Sequence, residues 1–191
     1  MGDIQPPQPA ILICGLLAAS DDALAGVSDA LSGALGTIDL VSPTFSFGDT
    51  SYYRAELGTS IRRQFISFAG LYPTDTLAAT KRRTNALELH ISRTLYHDGD
   101  RRVNIDPGYI HLGALVLATT KPRAHRISIG GGIFAEVTLM YESGGWQPLP
   151  WTYPDYAGPA YHTFFSQVRD RLKSLRRQPT GQGPHAVHPT Q

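Results

Sequence analysis

The segment RRVNIDPGYI, residues 101–110, places polar side chains at alternate positions of a predicted strand. Arg102, Asn104 and Asp106 fall on one face, and the residues between them are apolar. An arginine can bind an anion, an amide can donate and accept hydrogen bonds, and a carboxylate can coordinate a divalent cation. The simpler alternative is that the row faces water. We expect it to face a binding site, and we expect the strand to turn at Pro107-Gly108.

The second long predicted helix carries charge within its apolar stripe. It begins at Pro73-Thr74-Asp75 and continues to about Leu95, and at about 100° per residue Lys81 and Glu88 lie on its apolar side. An unpaired buried charge is costly, so each must pair with protein groups or with a ligand. The alternative is that Lys81 extends past the apolar surface to water and that Glu88 lies at the helix margin.

A later strand repeats the polar row. In IFAEVTLMYE, residues 133–142, strict alternation places Glu136 and Thr138 on one face and Leu139 on the other. In a sheet that helices cover on one side only, both polar rows would simply be the face in water. That is the alternative to a shared site.

Loop segments supply the remaining candidates, because loops carry function more often than core strands do. ATTKPRAHRI contains two cations and a histidine around a turn, and WTYPDY contains a carboxylate. Lysine and arginine suit a bound anion, and the cations that could bind one are Arg63, Arg102, Lys121 and Arg126. Carboxylates suit magnesium, and a histidine or a buried glutamate can move a proton. A histidine beside an arginine is otherwise an ordinary structural residue. The candidates for ligand binding are Lys81, Arg102, Asn104, Tyr109, Lys121 and Arg126, those for binding Mg²⁺ are Asp106, Glu136 and Asp155, and those for proton transfer are His125 and Glu88.

Composition and missing motifs exclude several classes of protein. The chain has 17 Lys and Arg against 16 Asp and Glu, a net charge of +1, which argues against a general binder of nucleic acids or membrane surfaces. The single cysteine, Cys14, excludes a disulfide framework and favours a reducing cytoplasm. No apolar run fits a signal peptide or a membrane span. The sequence also lacks a phosphate-binding P-loop, a dinucleotide fingerprint, a nucleophile elbow and zinc-ligand spacing.

The periodicity along the chain predicts a single α+β domain over residues 10–176. Strand, helix, strand, strand, helix and strand follow in order up to residue 110, which is the order of a ferredoxin-like split βαβ unit. An antiparallel β-meander and a C-terminal helix extend this unit, and residues 37–47 are interpreted as one strand. Residues 1–9 and 177–191 are predicted to be disordered tails.

The chain resembles a known family in seven ordered segments, which are SYYRAELG, Thr84-Asn85, RRVNIDPGYI, LATTK, HRI, GIFAEVTL and WTYPDY. They are similar to those of the bacterial and archaeal family of unknown function numbered 4416, from Ala10 to about Arg176. Some members carry the label GTP-binding protein, although this sequence has neither a P-loop nor an N-K-x-D guanine-binding motif. Leu57 and Phe134 stand where the family tends to have methionine and tyrosine. The resemblance implies that the segments form one pattern, and their convergence in space is our prediction.

The residues favour one function over two alternatives. The first is binding of a small anionic ligand, a phosphorylated metabolite or nucleotide, with metal-assisted phosphoryl transfer or hydrolysis as the reaction if there is one. The second is a non-enzymatic module that binds a protein or RNA through exposed aromatic loops, with Tyr52, Tyr53, Trp151, Tyr153 and Tyr156 as anchors. The third is a polar network that specifies the fold and binds nothing. The site hypothesis requires one pocket surrounded by Lys81, Glu88, Asp106, His125 and Glu136.

Overall fold

The computed structural model describes residues 2–48, 61–96 and 103–177. In these ranges a single sheet contains nine strands: β1 Ile11–Ala18, β2 Ile38–Val41, β3 Phe45–Phe47, β4 Ile61–Phe68, β5 Val103–His111, β6 Ala114–Thr119, β7 Ile127–Gly130, β8 Ile133–Glu142 and β9 Gly145–Pro148. Four helices accompany it: α1 Asp21–Leu35, α2 Leu77–Tyr96, α3 Pro154–Ala157 and α4 His162–Arg177. Candidates Arg102, Tyr52 and Tyr53 lie outside the described residues.

The strand order is β2-β4-β1-β5-β6-β8-β7, with β3 paired to β4 and β9 paired to β8. All of these pairs are antiparallel. The predicted α+β class is therefore confirmed. Residues 2–9 contain no helix or strand, and most of the predicted C-terminal tail lies outside the described ranges.

Local sequence explains where the elements begin and end. The Ser20 side chain accepts a hydrogen bond from the Ala23 N–H at 3.2 Å, and Gly36, with a φ of 113°, ends α1 as predicted. The single strand predicted over residues 37–47 is instead two short strands, because a proline interrupts the backbone donors between them. Each helix in the described part of the chain is too short or too polar to span a membrane.

Helices cover both faces of the sheet. Buried side chains of α1 and α2 pack on one face, and α4 packs on the other through an aromatic and aliphatic cluster that includes Phe165 and Val168. The polar rows therefore do not form a wet face. Asn104 and Glu136 are only 5% and 4% exposed, and that alternative is wrong for both residues.

A β-bulge in β8 changes the predicted faces of that strand. Leu115 of β6 pairs with Leu139, but the next residue, Val116, pairs with Val137, so Thr138 is the extra residue. Beyond the bulge the alternation shifts by one, and Leu139 joins the core cluster beneath α4 instead of the cluster that contains Val137. The prediction of strict alternation along β8 is wrong at this point.

Strands β5 and β6 separate beside the predicted polar row. Residues 108–111 of β5 pair with β6, whereas residues 103–107 pair only with β1 among the described strands. Pro107 has no N–H to donate to a neighbouring strand, and a Cβ at Gly108 would collide with the backbone oxygen of Val116, so only glycine allows this close crossing. The turn predicted at Pro107-Gly108 is wrong, because β5 continues to His111 and β6 is the strand that diverges.

Candidate ligand-binding site

A pocket of about 830 Å³ lies where β5 and β6 separate. Helix α2 forms one wall, the region of β3, β4 and α3 forms a second, and the loop between β6 and β7 forms a third. This volume is within the range of small-molecule sites. The lining includes Lys81 and Glu88 of α2, Arg63 of β4, Asn104 and Asp106 of β5, Glu136 of β8, Asp155 and Tyr156 of α3, and Lys121, Arg123 and Arg126 of the β6–β7 loop.

Two side chains of α2 replace a neighbouring strand beside β5. The Ile105 N–H donates to Glu88 Oε1 at 2.6 Å, and the Ile105 carbonyl accepts from Lys81 Nζ at 2.8 Å. In a continuous sheet β6 would bond both groups, since the N–H and C=O of one strand residue point to the same neighbour. Lys81 and Glu88 are each 3% exposed, so neither lies at the helix margin or extends to water. Lys81 and Glu88 therefore supply the hydrogen bonds to the Ile105 backbone that a neighbouring strand would otherwise supply.

The Asp106 carboxylate binds two neighbouring donors. Its Oδ1 lies 3.2 Å from Lys81 Nζ, and its Oδ2 accepts a hydrogen bond from Asn104 Nδ2 at 2.6 Å. Burial by itself would raise the pKa of Asp106, but Lys81, Arg63 and Asn104 together hold that pKa below its ordinary value of 3.8. The side chain is 28% exposed, so an ionised carboxylate faces the pocket.

Arg63 is a buried cation with incomplete hydrogen bonding. Its Nη2 lies 3.2 Å from Asp155 Oδ2, but among the described residues its Nε and Nη1 have no partner, and the side chain is only 5% exposed. The rings of Phe47, Phe65 and Tyr156 surround the guanidinium, with centroids 4.9–5.5 Å from its carbon. A buried donor without a partner costs about 1–3 kcal/mol, so this edge of Arg63 is suited to an acceptor on a bound molecule.

The Tyr156 hydroxyl is the other buried polar group without a partner in this part of the pocket. Tyr156 is 3% exposed, and its oxygen bonds to no described residue. Burial raises the pKa of Tyr156 well above 10.0, so the hydroxyl stays protonated and can both donate and accept. Gly15 leaves the space for both groups, since a Cβ there would lie 3.0 Å from the Tyr156 oxygen and 3.2 Å from Arg63 Nη1. Gly15 also pairs with Asp106 in the sheet.

The β6–β7 loop is tied to β8 by one carboxylate. Arg126 Nε donates to Glu136 Oε2 at 2.6 Å, and Arg126 Nη1 donates to the Lys121 carbonyl at 2.8 Å. His125 Nε2 lies 3.1 Å from the same Glu136 oxygen, and its ring stacks on Trp151 with centroids 5.1 Å apart. These contacts hold the cationic loop over the pocket.

The structure brings most of the predicted site residues together. The pocket-lining members of that set are Lys81, Glu88, Asn104, Asp106, Lys121, Arg126, Glu136 and Asp155. His125 touches Glu136 but does not itself line the pocket. Tyr109 is not part of the site: it alternates with Asn104 and Asp106 along β5 and lies on the opposite face, with its ring centroid 6.4 Å from that of Tyr72.

The three carboxylates predicted to bind Mg²⁺ do not converge. Among residues 2–48, 61–96 and 103–177, no three His, Cys, Asp or Glu side chains are close enough together to hold a metal ion. The carboxylates lie on three different elements, β5, β8 and α3, and each is held by a cation. The ion pairs are Asp106 with Lys81, Glu136 with Arg126, and Asp155 with Arg63.

Arg63 is one of four cations, with Arg102, Lys121 and Arg126, that the sequence offers for binding an anion, and the sequence also contains a signal for its burial. In IRRQFISF, residues 61–68, Arg63 shares a strand face with Ile61 and Phe65. An arginine on an apolar face must be paired or functional, since a buried isolated charge is unfavourable. Tyr156 is predicted from the sequence only as an exposed anchor of the binding module, and that prediction is wrong because Tyr156 is buried.

Comparison with known proteins gives one match. The family described as Domain of unknown function (DUF4416) matches residues 8–172, which include every described residue named above for the pocket. No curated protein and no solved structure matches the chain. The match covers most of the sequence and agrees with the ordered segments that the chain shares with that family. The chain therefore belongs to the DUF4416 family.

Proposed function

We propose that the protein binds a small anionic ligand, a phosphorylated metabolite or a nucleotide, in the pocket between β5 and β6. The observation that carries this proposal is the buried Arg63 guanidinium. Arg63 lines the pocket, and two of its nitrogens are buried without a hydrogen-bond partner among the described residues. A ligand that accepts hydrogen bonds there would remove the cost of leaving those donors unpaired.

The charge of the lining supports an anion. Among the described residues, five cations and four carboxylates line the pocket. Three of the carboxylates form ion pairs, and Glu88 accepts a backbone N–H. Arg123 is exposed at the rim and forms no ion pair with a described residue, so it adds positive charge where a ligand would enter. Arginine binds phosphate and carboxylate groups through two parallel hydrogen bonds.

Metal-assisted phosphoryl chemistry fits this pocket if the metal ion is bound mainly by the ligand's phosphate. Mg²⁺ usually binds one or two carboxylates together with oxygens of the substrate phosphates. The ion would therefore enter with the phosphate, and one of the three predicted carboxylates would supply a protein oxygen. His125, bonded to Glu136 at the edge of the loop, would be the group that moves a proton.

The two alternatives have less support. Of the proposed aromatic anchors, Tyr156 is buried. The exposed Tyr153 and Trp151 are hydrogen-bonded within the protein, Tyr153 to Arg126 at 3.1 Å and Trp151 to the Val137 carbonyl at 2.8 Å. A binding module would need them free in one patch. A network that only specifies the fold would also bond every buried donor, and Arg63, although paired with Asp155, has two nitrogens without a hydrogen-bond partner among the described residues.

The first part of the sheet supports the finer prediction of a ferredoxin-like unit. The order β2-β4-β1-β5, with α1 and α2 packed on one face, is consistent with a split βαβ arrangement. We propose this unit as the scaffold of the site. Strands β6 to β9 and helix α4 would then be the extension that closes the pocket.

A thermal-shift screen tests the proposed function. The full chain would be mixed with inorganic phosphate, pyrophosphate, sugar phosphates and nucleotides, with and without Mg²⁺. A ligand at a hundredfold excess over its Kd should add about 2.7 kcal/mol of stability, a rise in Tm of roughly 5 to 10 °C for a chain of this size. If no compound raises the Tm of the wild-type protein, the proposed function is wrong.

Matched arginine variants locate the binding. Arg62→Gln and Arg63→Gln each remove one positive charge from β4, but Arg62 lies on the opposite face of the strand, near Asp21 at the start of α1, with its side chain 42% exposed. We expect Arg62→Gln to keep the ligand-induced shift and Arg63→Gln to reduce it for at least one phosphorylated organic compound. Equal shifts in both variants would place the ligand elsewhere.

A further inference from the structure

We propose that the ligand binds with an uncharged, hydroxyl-bearing part on the floor of the pocket and with its phosphate at the rim. The floor is formed by Arg63, Tyr156 and Asp106, and the rim is formed by Lys121 and Arg123 of the β6–β7 loop. This inference rests on the proposed function and adds the class and orientation of the ligand: a sugar phosphate or nucleotide that binds better than phosphate alone.

The floor is already balanced in charge. Arg63 is paired with Asp155, and Asp106 is paired with Lys81. A phosphate dianion on the floor would lie next to two ionised carboxylates, and repulsion between like charges is strong in a site that excludes water. A neutral polar group meets no such repulsion.

Hydroxyl groups match the hydrogen bonds that the floor leaves unused. Arg63 offers donors at Nε and Nη1, and the Tyr156 hydroxyl can donate or accept. The partly exposed Asp106 carboxylate can accept a further bond beside those from Lys81 and Asn104. A sugar hydroxyl both donates and accepts, so one such group can bond Arg63 and Asp106 at once. A fully ionised phosphate only accepts and could not bond the carboxylate.

The rim carries exposed cations. Lys121 and Arg123 are exposed and line the pocket in the same short loop. A phosphate placed there keeps part of its contact with water and lies beside two cations. Binding through exposed cations weakens as salt concentration rises, whereas hydrogen bonds on a buried floor depend on salt much less. The two ends of the ligand should therefore be separable by experiment.

Tyr156→Phe is the principal test, because it removes only an oxygen that bonds to no described residue. The matched control is Tyr141→Phe, since the Tyr141 hydroxyl donates to the Gly144 carbonyl away from the pocket. Affinities of the full chain would be measured by calorimetry for inorganic phosphate, ribose 5-phosphate and adenosine monophosphate. Circular dichroism and Tm would confirm that each variant folds.

We expect ribose 5-phosphate or adenosine monophosphate to bind wild-type protein at least about tenfold more tightly than inorganic phosphate, a difference of about 1.4 kcal/mol. Tyr156→Phe should weaken the tighter compound by about fivefold to tenfold and should leave phosphate binding unchanged. Tyr141→Phe should change neither affinity. Arg123→Gln should weaken every phosphorylated compound and reduce the salt dependence of binding.

Two results would overturn the orientation while leaving the proposed function intact. One is that inorganic phosphate binds as tightly as both organic phosphates. The other is that Tyr156→Phe leaves the affinity for both organic phosphates unchanged. Failure of the wild-type protein to bind any compound in the wider screen would instead refute the proposed function itself.

Discussion

Replacing Glu88 by alanine should destabilise the protein by roughly 3 kcal/mol. The hydrogen bond from the Ile105 N–H to a charged acceptor contributes about 1.5–3 kcal/mol, and the lost buried methylene adds about 0.8 kcal/mol. Both groups are buried in the wild-type protein. For a chain of this size the expected fall in Tm is roughly 6 to 12 °C.

Glu88→Gln separates the acceptor from its charge. Glutamine retains a carbonyl oxygen that can accept from Ile105, so we expect a loss of only about 1 kcal/mol. His90→Ala is the control for changes in α2, because His90 is exposed on the same helix. We expect it to change stability by less than about 0.5 kcal/mol.

Urea denaturation and amide hydrogen exchange check this reasoning together. Denaturation gives the free energy of unfolding for each variant, and exchange reports the Ile105 amide directly. In Glu88→Ala that amide should exchange faster than in the wild-type protein by more than the global loss of stability explains. A loss below about 0.5 kcal/mol with full protection of the Ile105 amide would show that Glu88 does not replace a strand.

Three further predictions concern the same region. Gly108→Ala should lower the free energy of unfolding, measured by urea denaturation, by about 3 kcal/mol or more, because the new Cβ meets the β6 backbone. The control Gly113→Ala should lower it by less than about 1 kcal/mol. Similar losses in the two variants would contradict the close crossing. Asp106→Asn should be less stable than wild type at neutral pH. The pKa of Asp106 is lower in the folded than in the unfolded protein, so its contribution to stability is complete above about pH 4 and is lost as pH falls through the folded pKa. The plots of unfolding free energy against pH for the two proteins should therefore converge in acid. Parallel plots would refute this. Gly15→Ala should weaken ribose 5-phosphate binding by about tenfold in calorimetry by filling the floor, and an unchanged affinity would count against a ligand there.

The sequence by itself determined most of the elements and most of the site residues. The start of α1 at a serine cap, the order of strands and helices, and the charged stripe of α2 all follow from local spacing and propensity. Eight of the predicted site residues line one pocket, because side chains that are costly to bury must be paired or used. Strand alternation likewise placed Asn104 and Asp106 on one face of β5.

Only the tertiary structure decided which contacts those residues make. The divergence of β6 from β5 depends on how two strands cross at Gly108, and no local pattern records that an absent strand is replaced by Lys81 and Glu88. The bulge at Thr138 and the cover of the second face by α4 are long-range features of the same kind. The cover by α4 buries the face of the sheet that, from alternation alone, could have been exposed to solvent. Whether Arg63 keeps two donors unpaired depends on side chains far apart in the chain, and tertiary packing alone sets their distances.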